Sequence, residues 1–160
     1  MTRLISWLLA LAVGVVPLLV GVPAAGAAGY PSLDGVVLRY LPPGLGAGTD
    51  FAYDYDEVAF AARVWESGSD ADGWRVDLDV QVMRGDRLTS RAALHDWFLE
   101  FEDRGQARYR AVLIRGHIGW MSDDEVFWLV RPGLAVSVLI DGTRWTQREL
   151  LRTARGVRAP

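Results

Sequence analysis

The run from Trp74 to Met83 alternates: Trp74, Val76, Leu78, Val80 and Val82 fall on one side, and Arg75, Asp77, Asp79, Gln81 and Met83 on the other. Successive side chains of a strand point to opposite faces, so this run predicts a strand with one core face and one mostly wet face. Ser67 to Gly73 reads as a turn by its Ser, Gly and Asp content. With Val58 to Glu66 before it, the segment forms an antiparallel hairpin, which points to a meander rather than to alternating β-α-β units.

Upstream, Gly29 to Asp34 is expected to be a lead-in and Val36 to Tyr40 a first strand. The prolines and glycines of Leu41 to Gly48 break any ladder, because proline donates no hydrogen bond and glycine accepts turn angles. Phe51 to Glu57 alternates again, with Phe51, Tyr53 and Tyr55 against Ala52, Asp54 and Asp56, and reads as a half-buried strand.

After Gly85 the period becomes helical. Ala93, Leu94, Trp97, Phe98 and Phe101 share one side, Ser90 is placed to cap the start, and Gly105 to stop it. Strands are expected at Ala107 to Ile114, Glu125 to Val130 and Leu134 to Ile140, with Gly116 to Trp120 as a loop. Thr146-Gln147-Arg148-Glu149 matches a capping box, and Leu150, Leu151 and Ala154 supply the apolar side of a second helix. The expected fold is α+β, in the order β-meander, α, β-meander, α: one twisted, mainly antiparallel sheet of about six strands with both helices on one face. On that arrangement the acidic stripe Asp96, Glu100 and Asp103 would face the basic stripe Arg148, Arg152 and Arg155.

The N-terminus has its own logic. Arg3 precedes an uncharged apolar run that ends in Ala24-Ala25-Gly26-Ala27-Ala28, the layout of a secretory signal peptide with an A-x-A cleavage site. Residues 1–28 are expected to be removed, leaving 29–160 as a single domain outside the cytoplasmic membrane, touching the membrane only in transit. The chain has no cysteine. It therefore relies on buried apolar surface rather than disulfides, a need that seven tryptophans, five tyrosines and five phenylalanines suit.

All 17 positively charged side chains are arginine. Without lysine, Schiff-base chemistry, pyridoxal phosphate and a Walker-type phosphate loop are excluded; without cysteine, so are thiol nucleophiles and zinc fingers. A formal charge of −3 with both signs scattered along the chain gives no footprint for nucleic acid, and no cofactor is implied.

Three groups of residues are candidates for chemistry. Asp54 and Asp56 would lie roughly 7 Å apart on one side of a strand, a spacing that suits Ca²⁺ if another segment completes the shell; Asp77 with Asp79 and the run Asp123-Asp124-Glu125 repeat the idea. His117, flanked by glycines, is the better placed of two histidines for a hydrolase, although no G-x-S-x-G elbow occurs. Trp97, Phe101, Trp120, Trp128 and Trp145 are candidates to line a gap between helices and sheet that would admit a lipid or other apolar molecule.

Tyr40-Leu41-Pro42-Pro43-Gly44-Leu45, Val112-Leu113-Ile114-Arg115-Gly116-His117-Ile118-Gly119, Phe127-Trp128-Leu129-Val130 and Glu149-Leu150-Leu151-Arg152-Thr153-Ala154 together resemble the extracytoplasmic domains of unknown function in bacterial anti-sigma-factor-like membrane proteins, and short secreted proteins of actinobacteria. The resemblance implies a sheet-and-helix module with no catalytic residues to carry over. The chain departs from it in lacking a cytoplasmic sigma-binding part and in its Ser90–Arg104 helix. The function expected from these readings is a secreted or envelope-associated, non-enzymatic interaction domain with a protein partner. A carrier of an apolar ligand comes second and a small secreted hydrolase third.

Overall fold

The computed structural model describes residues 30–101 and 108–160. The expected leader, Asp103 of the acidic stripe, Arg104 and Gly105 at the expected helix end, and Ala107 at the expected strand start lie outside them. In chain order the elements are β1 (Ser32–Leu33), β2 (Val36–Leu38), β3 (Gly48–Tyr55), β4 (Val58–Ser69), β5 (Gly73–Arg84) and α1 (Arg91–Phe101), followed by β6 (Arg110–Ile114), β7 (His117–Met121), β8 (Glu125–Arg131), β9 (Leu134–Ile140), α2 (Gln147–Gly156) and β10 (Val157–Arg158). Among the described residues no helix is long and apolar enough to cross a membrane.

The fold is α+β with antiparallel pairing, but its strands form two sheets rather than one. Seven strands run in the order β3-β4-β5-β9-β8-β7-β6, and a small sheet holds β1-β2-β10. Nor do the helices share a face. Met83 stands opposite Ala135 in the register, and both are buried with Leu94, Trp97 and Phe98 of α1. Val80 stands opposite Val138 and Val82 opposite Val136; these are buried with Leu150 and Ala154 of α2 and with Val36, Leu38 and Val157 of the small sheet. Three layers result: α1, the large sheet, and α2 with the small sheet.

The physical reason lies in the central strands. Four consecutive residues of β8, Glu125 to Trp128, and five of β9, Leu134 to Val138, are buried. A strand without alternation needs cover on both sides. For Asp96 and Glu100, the described members of the acidic stripe, the expected meeting with Arg148, Arg152 and Arg155 is thereby corrected, because the sheet stands between the two helices. Arg152 instead lies 3.9 Å from Glu149 of its own helix and 4.0 Å over the Tyr40 ring.

Other expectations shift at element ends. β3 is an edge strand and is exposed throughout rather than half-buried. Its Asp50 stands opposite Arg63 and accepts two hydrogen bonds from it, at 2.5 and 2.7 Å. The β4–β5 turn shrinks to residues 70–72, and β5 pairs with β9 only from Leu78 onward. Trp74 and Val76 therefore lie on a two-stranded ribbon beyond the sheet, 60% and 39% exposed, instead of in the core. Of the segment Gly116 to Trp120, expected to be a loop, all but Gly116 belongs to strand β7. Arg115 and Gly116, with φ of 51° and 90°, form the two-residue turn that joins it to β6, the pattern of a type I′ hairpin.

Ser90 caps α1 as expected, its Oγ accepting from the Ala93 amide at 3.1 Å. At α2 the capping box does not form. Thr146 makes no side-chain cap bond, and the Glu149 carboxylate accepts from the Tyr40 hydroxyl.

Candidate functional site

The aromatic residues expected to line one gap are divided by the large sheet. On the α1 side Trp97 stacks on Phe101 at 5.4 Å, Phe101 on Phe60 at 5.0 Å, and Phe60 on Tyr53 at 4.6 Å. The Trp97 indole donates to Asp56 at 3.1 Å. Trp120 lies on the same side, 4.4 Å from the His95 ring. Trp128 is buried on the opposite side, where the half-buried Trp145 lies against the Arg144 guanidinium at 4.2 Å. Their placement suits core filling.

The acidic candidates are also dispersed. Asp54 is exposed on β3, while Asp56 occupies the following turn at φ 49° and pairs with Arg87. The same-side strand geometry assumed for the two is lost at that turn. Asp77 is buried and held by Arg144 and Ser67; Asp79 accepts from Gln81 at 2.7 Å. Asp123 accepts from Gln147 at 2.8 Å, Asp124 from Ser122 at 3.1 Å and Glu125 from Tyr109 at 2.7 Å. Among the described residues no three His, Asp or Glu side chains come together in a metal-binding group.

His117 is half-buried on β7 rather than in a loop. It lines a cleft of about 280 Å³ with Arg115, Trp128, Val130, Arg131 and Arg158.

The feature that sequence reasoning missed is the basic groove of which this cleft is one end. Arg148, Arg152 and Arg155 recur at i, i+4 and i+7, so they share the side of α2 opposite buried Leu150 and Ala154. The chain then turns directly into β10, where Arg158 stands opposite Val37 of β2. That turn needs glycine for space: a Cβ on Gly156 would lie 2.8 Å from Tyr40 Cβ and 2.9 Å from its amide nitrogen. The close approach brings Arg39 and Tyr40 to the helix, and a cleft of about 390 Å³ forms between them, walled by Arg148, Arg152, Arg155 and Arg158. Arg158 belongs to both clefts. A track of seven guanidiniums thus runs from Arg148 to Arg131, with no Asp or Glu side chain among the residues lining either cleft; Glu149 stands behind the wall, 3.9 Å from Arg152 and bonded to Tyr40.

These arginines are oriented mostly by neutral groups. Arg158 donates to the carbonyls of Arg155 and Val157, Arg155 to the Leu113 carbonyl at 3.4 Å, and Arg39 lies 5.5 Å over the Tyr30 ring. Carbonyls and rings fix a guanidinium without cancelling its charge. Burial, then the nearby charges of Arg115 and Arg39, push the Arg158 pKa below its ordinary value. The Tyr40 hydroxyl is raised, first by its hydrogen bond to Glu149. The signal in the sequence was the density of arginine from Arg144 to Arg158, but Arg39, Arg115 and Arg131 join only through the topology.

No family model matches the chain, and no match to it was found among curated proteins or solved structures.

Proposed function

We propose that the protein is a non-enzymatic interaction domain that works outside the cytoplasmic membrane and binds its partner through the arginine groove beside α2. The observation that carries this reading is the accumulation of seven guanidiniums around two open clefts in a chain whose formal charge is −3. Like charges gathered in excess of the one nearby carboxylate side chain, Glu149, repel one another, and an anionic partner relieves that repulsion. Placement of the large aromatics in two separate layers favours surface binding over carriage of an apolar ligand.

The test is to recover the protein from culture medium, read its mass intact and in its native state, and mix it with isolated cell envelopes. The expected result is a chain starting near Ala28 or Gly29, free of small molecules, that sediments with envelopes at low salt. At about 0.5 M salt, where the screening length falls to roughly 4 Å, it is released. A copurifying lipid would establish the carrier instead. Absence of salt-sensitive retention removes the interaction reading.

A further inference from the structure

The large sheet ends in two unlike edges, β3 and β6. An open edge offers its amides and carbonyls to any other strand, and proteins blunt it by shortness, cationic side chains, proline, bulges or cover. β6 is blunted: it is five residues long, begins at Arg110, is followed by Arg115, and its Leu113 carbonyl already accepts from Arg155 at 3.4 Å. β3 has none of these protections. It runs for eight residues without proline, lysine or arginine, and pairs with β4 from Gly48 opposite Trp65 to Tyr55 opposite Val58 without a bulge. Its Phe51, Tyr53 and Tyr55 are 48%, 40% and 45% exposed.

The hairpin fixes which backbone groups of β3 face outward. Tyr55 and Val58 flank the two-residue turn Asp56-Glu57 and form a bonded pair, and bonded and unbonded pairs alternate from there along the ladder. The amides and carbonyls of Asp54, Ala52, Asp50 and Gly48 therefore point away from β4. A second β3 laid antiparallel bonds to them only in registers that set these residues against one another. With Asp50 on the twofold axis its carboxylate meets its own copy; with Ala52 there it meets Asp54, and with Tyr53 there it meets Asp56. With Phe51 on the axis, each Asp50 faces Ala52 and each Asp54 faces Gly48 of the other copy. Asp54 then arrives beside Arg63 of that copy, whose stem lies within 3.0 Å of the place a Gly48 Cβ would take. Arg63 holds Asp50 with Nε and one terminal nitrogen, so one guanidinium serves a carboxylate from each copy. On the other face Phe51 meets its own copy and lengthens the row of Trp97, Phe101, Phe60 and Tyr53.

We infer that β3 is a self-association edge, through which two copies pair antiparallel about a twofold axis at Phe51 and continue the large sheet from one into the other. The arginine groove lies toward β6, the opposite edge, so the inference does not depend on what the groove binds. A twofold axis normal to the sheet keeps both α2 helices on one side, and the dimer presents two grooves in place of one.

The experiment is sedimentation equilibrium of the protein recovered from medium, over a concentration series reaching about 0.5 mM, because a seam of two strands is small and dissociates on dilution. The mass is expected to approach twice that of one chain. Ala52→Pro removes an outward amide that β4 does not use and should weaken association about tenfold or more. Asp54→Arg, which brings a like charge to Arg63 of the other copy, should weaken it severalfold. Arg148→Ala with Arg152→Ala should leave it unchanged. Disulfides read the register, since the chain has no cysteine of its own. Residues directly opposite bring their Cβ atoms to roughly 5 Å, so Phe51→Cys should oxidise to a covalent dimer. Tyr53→Cys, roughly 14 Å from its mate in this register, should not.

A single-chain mass at every concentration leaves the edge to a foreign strand and overturns the inference. So does a dimer that persists in Ala52→Pro while circular dichroism shows the variant folded, or ready oxidation of Tyr53→Cys with none of Phe51→Cys. Should Ala52→Pro not fold, Asp54→Arg and the two cysteine variants decide.

Discussion

Arg144, in the connection between β9 and α2, reaches the fully buried carboxylate of Asp77 on β5. Ser67 donates to the same carboxylate at 2.9 Å, and Arg75 approaches to 3.5 Å. The Asp141 amide donates to the Asp77 carbonyl at 2.9 Å. The end of the large sheet is therefore tied to the entry of α2, the helix that carries three of the groove arginines. Removing Arg144 leaves a buried charge with weaker partners. Arg144→Met is expected to destabilise the protein by about 2 kcal/mol in urea unfolding, with much of the loss recovered when Asp77→Asn is added. A double variant no more stable than the single one would show that the pair is not coupled.

The same pair sets an acid limit. Burial raises the Asp77 pKa, but hydrogen bonds from Arg144 and Ser67 and the charges of Arg144 and Arg75 outweigh it, so the folded value lies below 3.8. Because the folded pKa is below the unfolded one, its stabilisation is complete above the unfolded value and is lost as pH falls through the folded value. Unfolding midpoints should fall below about pH 4, and Asp77→Asn should flatten that fall. The lowered pKa of Asp50, held first by its hydrogen bond from Arg63, contributes in the same direction. An acid limb equally steep in both proteins would remove Asp77 from the account.

The strand pattern of the sequence reports burial only where both neighbours are present. Leu78, Val80 and Val82 obey the alternation because β4 and β9 flank them; Trp74 and Val76 continue the pattern beyond the end of β9 and meet water. Val126-Phe127-Trp128 breaks alternation because α1 covers Phe127 while the α2 layer covers Val126 and Trp128. That break was the available sign that the helices lie on opposite faces. β7 was hidden because Arg115-Gly116 and Gly119 give a five-residue strand the composition of a loop. The groove was least legible. Arg39, Arg115, Arg131 and Arg158 are separated in sequence by whole strands and meet only once β10 pairs with β2.

The β3–β4 hairpin turns through Asp56 and Glu57 with φ of 49° and 64°. Two consecutive positive φ values suit a type I′ turn, in which Asp-Gly is a preferred pair and glutamate is strained. Glu57→Gly supplies that pair and should stabilise the protein by about 0.5–1 kcal/mol, read as a higher urea midpoint. Loss of stability would mean that the Glu57 side chain makes a contribution larger than the strain it carries.

Gly116 and Gly119, three residues apart around one hairpin, are glycine for different reasons. Gly116 has φ 90° and open space where a Cβ would stand, so only backbone conformation excludes other residues. Gly119 has no such φ, but a Cβ there would lie 2.6 Å from the Phe127 carbonyl oxygen and 2.8 Å from Trp128 Cβ, in the heart of the β7–β8 contact. Gly116→Ala should cost about 1 kcal/mol and Gly116→Asn less, because asparagine tolerates the left-handed region. Gly119→Ala should cost about 1–3 kcal/mol by overpacking, and Gly119→Asn more, since the larger side chain meets the same backbone. The opposite order of stabilities at the two positions would mean that β7 does not lie against β8 in this register.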